Sequence, residues 1–145
     1  MNLFAIIADL YTPLLILIWL FYLYRGTAEM RRPEIKTLLL SLLFVYALMF
    51  LDGYLHIWSI FALDYSTHSA VALIFVVNLT WRNKILQLLS PLSLLAYFCL
   101  MRVLNYHSFT DIFTTLLVVL PFLIYWQNKL LKNYLKNTAK ADSTA

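Results

Sequence analysis

One pattern governs the chain: an apolar run about as long as a bilayer is thick, closed by a turn or a charge, and then repeated. A helix rises about 1.5 Å per residue, so roughly 20 apolar residues cross a hydrocarbon core of about 30 Å. Five stretches read as crossings, from Leu3 to Tyr24, Glu34 to His56, His68 to Trp81, Ile85 to Met101 and Phe109 to Trp126. The third and fourth are short, which predicts tilt or local thinning of the bilayer. Only 12% of the 145 residues are charged and 63% are hydrophobic, against about a quarter charged in a soluble domain, so a water-soluble globule is excluded. Two glycines and four prolines exclude a low-complexity chain. A lone cysteine, Cys99, excludes a disulfide framework and a CxxC metal site, and among apolar neighbours it reads as a packing residue. The start, Met-Asn-Leu-Phe, has no basic segment and Asp9 interrupts the apolar run, so it reads as a first helix and not as a cleaved signal peptide. The expected fold is an all-α integral membrane protein, a bundle of about five transmembrane helices over residues 1–132, with a frayed polar cytoplasmic tail over 133–145.

The net charge of +4 would suggest nucleic acid on a soluble surface, but in so apolar a chain the positions of the charges matter more than their sum. Arg25, Arg31, Arg32 and Lys36 lie between the first two crossings, Arg82 and Lys84 between the third and fourth, and Lys129, Lys132, Lys136 and Lys140 after the fifth. Five crossings put these ten of the eleven basic residues on one face, which the positive-inside rule makes cytoplasmic. The N-terminus is then expected outside and the C-terminus in the cytoplasm, in a membrane of the bacterial inner type. Arg102 alone stands on the outer face.

All three histidines collect on that outer face, as do four of the seven acids, Asp9, Asp52, Asp64 and Asp111. Ionisable groups at membrane depth are costly, and their joint sorting points to a site. Asp64-Tyr-Ser66-Thr67-His68-Ser precedes an apolar run, with Ser66 in an N-cap position. In Arg102-x4-His107-x3-Asp111 the histidine and aspartate are four apart, which puts them on one face of a helix starting there and lets the carboxylate hold the imidazole. Two helices starting on the outer side turn free N–H groups toward one region, which suits a phosphate. Arg102 offers a fork-shaped partner for it, and two histidines can divide nucleophile and acid roles.

These two segments resemble the second and third signature motifs of the type 2 phosphatidic acid phosphatase superfamily, Pro-Ser-Gly-His and Ser-Arg-x5-His-x3-Asp, which two crossings also separate. Tyr65-Ser66-Thr67-His68 stands for the second, with Thr67 in the glycine position, and Arg102-x4-His107-x3-Asp111 for the third, one residue shorter. The resemblance covers roughly residues 50 to 126. It implies His107 as the phosphoryl-accepting nucleophile, Asp111 as its orienting partner, His68 as the acid for the leaving oxygen, and Ser66, Thr67 and Arg102 around the phosphate. It implies no metal and no cofactor, and a membrane lipid phosphate or diphosphate as substrate. The family's first motif, Lys-x6-Arg-Pro, has an apparent match in Arg25-x6-Arg32-Pro33, which is rejected because the charge count places it on the opposite face; Pro33 reads instead as a residue at a helix start. Asp52, Tyr54 and His56 stand where that motif would be, and with Asp64 are accessory candidates. His107-Ser-Phe-Thr-Asp111 is also similar to the His-Tyr-Thr-x-Asp of sphingomyelin-synthase-like enzymes, which pass a phospho-headgroup between lipids. A non-catalytic phospholipid-binding scaffold is a further alternative. A haem protein ranks below these because two of the three histidines fall at helix starts, and a zinc set of His56, His68, His107 and Asp111 lacks metal-motif spacing.

Overall fold

A computed structural model of the chain describes residues 3–142. It contains α1 (Leu3–Arg25), α2 (Ala28–Leu55), a single 3-10 turn at Ser59–Phe61, α3 (Thr67–Thr80), α4 (Lys84–Val103) and α5 (Phe109–Asp142). The protein is thus all-α, and α1, α2, α4 and the Phe109–Leu130 part of α5 are long and apolar enough to cross a membrane. Their outward faces carry exposed large apolar residues such as Leu17, Leu43, Leu92 and Leu117. Such faces suit hydrocarbon as the surrounding solvent.

The third stretch behaves differently. At 14 residues α3 spans about 21 Å, short of a hydrocarbon core. It packs against all four other helices. Ten of its residues, Ser69, Ala70 and Ala72 through Leu79, are buried, as expected of a helix apolar on every side and placed in the middle of a bundle. The outer part of its path is made by non-helical backbone, residues 62–66. Non-helical backbone at membrane depth persists only where protein or a polar cavity satisfies it. That requirement shapes the site.

Several boundaries differ from the sequence expectation. Helix α2 begins at Ala28, six residues before Glu34, and Pro33 lies inside it, where it forfeits one helical hydrogen bond. Helix α5 continues through Asp142, so residues 133–142 extend the helix where a frayed tail was expected. Cys99 is exposed on α4 instead of packed. Some polar residues read only as topology signals also hold the fold together. Arg82, in the α3–α4 turn, forms an ion pair with Glu34 of α2, which is 3% exposed. Arg31 donates through Nε to the Leu23 carbonyl oxygen and through Nη2 to that of Tyr24, closing the C-terminus of α1. Asn83 caps α4 by accepting the Leu86 N–H at 2.8 Å.

Candidate functional site

The segment entering α3 is fastened to the first two turns of α5. Residues three and four apart share a helix face, and Asp111, Thr114 and Thr115 use that spacing as a row of acceptors. Asp111 Oδ1 accepts the Asp64 N–H at 3.0 Å, Thr115 Oγ1 accepts the Ser66 N–H at 3.1 Å, and Thr114 Oγ1 accepts the Trp58 indole N–H at 3.3 Å. From the other side, Asp52 Oδ1 accepts the Trp58 backbone N–H at 2.8 Å, and the Tyr65 hydroxyl donates to the Val45 carbonyl of α2 at 3.2 Å. Trp58 meets Tyr65 edge-on at 5.0 Å. Asp111 also completes a reciprocal cap of α5, with Oδ2 accepting the Ser108 N–H at 2.8 Å and Ser108 Oγ accepting the Asp111 N–H at 3.2 Å.

This fastening places His68, at the second residue of α3, and His107, just before α5, around one cavity. It has two lobes of about 410 and 580 Å³, and Ala8, Asp9, Asp64, His68 and His107 line both. Tyr97, Met101 and Tyr106 complete the first lobe toward α4. Thr12, Tyr46, Met49, Tyr65, Thr67 and Val71 complete the second, between α1, α2 and α3. Asp64 Oδ2 lies 3.3 Å from His107 Nδ1, with the imidazole side chain 12% and the carboxylate side chain 72% exposed. The contact is one of charge and proximity, since no hydrogen bond joins the two groups and Nδ1 is buried.

Of the residues singled out from sequence, the fold brings His68, His107, Asp64 and Thr67 to the cavity. Others need correcting. No hydrogen bond joins Asp111 to His107: His107 precedes α5, so the spacing of four does not put the two on one helical face, and each Asp111 oxygen accepts a backbone N–H group. Asp64 is the carboxylate that stands nearest a His107 ring nitrogen, at 3.3 Å from Nδ1. Ser66 is fully buried and donates to Ser69 Oγ at 2.8 Å, so it neither caps α3 through its side chain nor reaches the cavity. Arg102 is exposed and donates to Asn105 Oδ1 at 3.0 Å, away from the cavity lining. Asp52 secures Trp58, and His56 ends α2 in the left-handed region at φ 52°, exposed and outside the lining.

Asp9, one of the acids that the sequence sorts to this face, also lines the cavity, whereas nothing in the sequence distinguishes Tyr46, Tyr97 and Tyr106 from interfacial aromatics. Among the described residues no three of His, Cys, Asp or Glu come together as a metal-binding group. Comparison of the chain with protein-family models, with curated proteins and with solved structures gives no match. Fold and cavity together define a helical membrane protein with a histidine-carboxylate site at one end of its bundle.

Proposed function

We propose that this protein is a membrane lipid phosphatase, hydrolysing a lipid phosphate or diphosphate through a phosphohistidine on the outer face of the membrane. Its N-terminus lies outside and its C-terminus in the cytoplasm, in a membrane of the bacterial inner type. One observation carries the reading: two histidines 39 positions apart line one cavity between lipid-facing helices, with a carboxylate beside the Nδ1 of one of them. His107 Nε2 attacks phosphorus, the bond from phosphorus to the lipid oxygen breaks, and His68 gives that oxygen its proton. Water then attacks the phosphohistidine, its proton goes to His68, and the phosphorus–nitrogen bond breaks to release phosphate. Asp64 stabilises the positive charge that the His107 ring gains on attack. The apolar wall of Met49, Val71 and Ala8 suits the hydrocarbon part of the substrate.

Transfer to an alcohol instead of water uses the same steps and makes the protein a headgroup phosphotransferase. A second reading, a non-catalytic phospholipid-binding scaffold, is favoured by a specific observation: among the described residues no lysine or arginine lines the cavity, while Asp9 and Asp64 do. Turnover of phosphatidic acid and a polyprenyl diphosphate by purified protein tests the two. The phosphatase reading expects release of phosphate that His107→Ala abolishes. Removal of His68 is expected to slow the poorer leaving group of phosphatidic acid more than the diphosphate, because an acid matters in proportion to the charge developing on the departing oxygen. Binding of both lipids without turnover would favour the scaffold.

A further inference from the structure

We propose that a cleft between α2 and α5, at the opposite end of the bundle from His68 and His107, binds the phosphate-bearing headgroup of an anionic phospholipid. The cleft has a volume of about 380 Å³. Pro33, Leu40 and Leu130 give it an apolar floor, and Lys36, Lys129 and Asn133 a rim of two cations and an amide. Trp126 also lines it, and Lys129 Nζ stands 5.2 Å from the Trp126 ring, held over an aromatic face at the rim. Beneath, Phe44 of α2 stacks on Phe122 of α5 with ring centroids 3.7 Å apart, and Phe122 meets Trp126 at 5.8 Å. This aromatic ladder ties the two helices together below the cleft.

The charge of the rim is not neutralised from within. No carboxylate lines the cleft among the described residues, and Glu34, the neighbour of Pro33 in sequence, is buried in its ion pair with Arg82. Two ammonium groups above an apolar floor match an amphiphile whose phosphate is anionic and whose glycerol and acyl groups lie deeper. Free inorganic phosphate leaves the floor unused. Phosphatidylcholine brings its own cation to the rim and gains less. Basic pockets between transmembrane helices beside a charged leaflet recognise lipids in this way.

Native mass spectrometry of the full chain in neutral detergent, offered equal amounts of phosphatidylglycerol and phosphatidylcholine, tests the assignment. The expected result is preferential retention of phosphatidylglycerol, falling about fivefold for each of Lys36→Gln and Lys129→Gln. Lys132→Gln, a charge lost at the same end but outside the cleft, is expected to leave the preference intact, and Lys36→Arg combined with Lys129→Arg to retain it. Excess inorganic phosphate is expected not to displace the lipid. Equal retention of the two lipids overturns the proposal, as does a preference that survives loss of both lysines. Displacement by inorganic phosphate would assign the cleft to the free anion and also overturn it. Binding here is read without turnover, so the outcome is independent of the phosphohistidine chemistry.

Discussion

Asp64 and Asp111 are both aspartates near His107, and their surroundings assign them different work. Asp64 is largely exposed and faces Nδ1 of the histidine, whereas Asp111 is buried and accepts two backbone N–H groups from separate segments. An Asp64→Asn protein is therefore expected to keep its melting temperature and lose roughly a hundredfold in kcat/KM, a ΔΔG‡ of about 2.7 kcal/mol. An Asp111→Asn protein presents an amide N–H to at least one of two donors, and is expected to lose about 1–3 kcal/mol of stability. Thermal unfolding and kinetics measured side by side separate them. Loss of activity at full stability in the Asp111 variant would return it to the role that sequence spacing suggests. That spacing misleads for a physical reason: the group that claims Asp111 is the Asp64 N–H, 47 residues away, on a segment without periodicity.

At the scale of the element, the short α3 depends on α5. In its approach through residues 62–66 the Asp64 and Ser66 N–H groups find no helical carbonyl, and the side chains of Asp111 and Thr115 supply their acceptors. Thr115 is fully buried, so Thr115→Val leaves the Ser66 N–H without a partner in a place water does not reach, at an expected cost of about 1–3 kcal/mol. Hydrogen exchange should then quicken at residues 64–67, while Thr115→Ser restores protection. Unchanged exchange in the valine variant would mean that the approach to α3 is held by other contacts. The four long helices were legible as apolar runs bounded by charges and turns. The shortness of the third was legible too, but tilt was the expected answer, because a sequence does not display that neighbouring helices can satisfy non-helical backbone.

Across the whole molecule, the ends of the bundle differ in kind. At the basic end Glu34 pairs with Arg82 and Arg31 caps α1, beside a cleft rimmed by Lys36 and Lys129, whereas the other end holds the cavity lined by His68 and His107. The sorting of charge along the chain made this polarity readable, since it needs only the order of residues. Arg102 shows where that reasoning stops: its place on the cavity end is as expected, but its side chain turns to Asn105 instead of the site. If α3 counts as a crossing, reporters placed before Leu3 and after Ala145 report opposite sides of the membrane, and one inserted at Gly26 agrees with the C-terminal one. Agreement between the two terminal reporters would contradict that topology.

In the proposed reaction His107 carries the phosphoryl group. Incubation of purified protein with phosphorus-labelled phosphatidic acid, quenching in base and mapping of the labelled peptide tests it most directly, because phosphohistidine survives alkali and is lost in acid. An alkali-stable, acid-labile label is expected on His107, chasing into free phosphate and absent from His107→Ala. Turnover of the lipid without such a label, or turnover by His107→Ala equal to that of the parent, would contradict it.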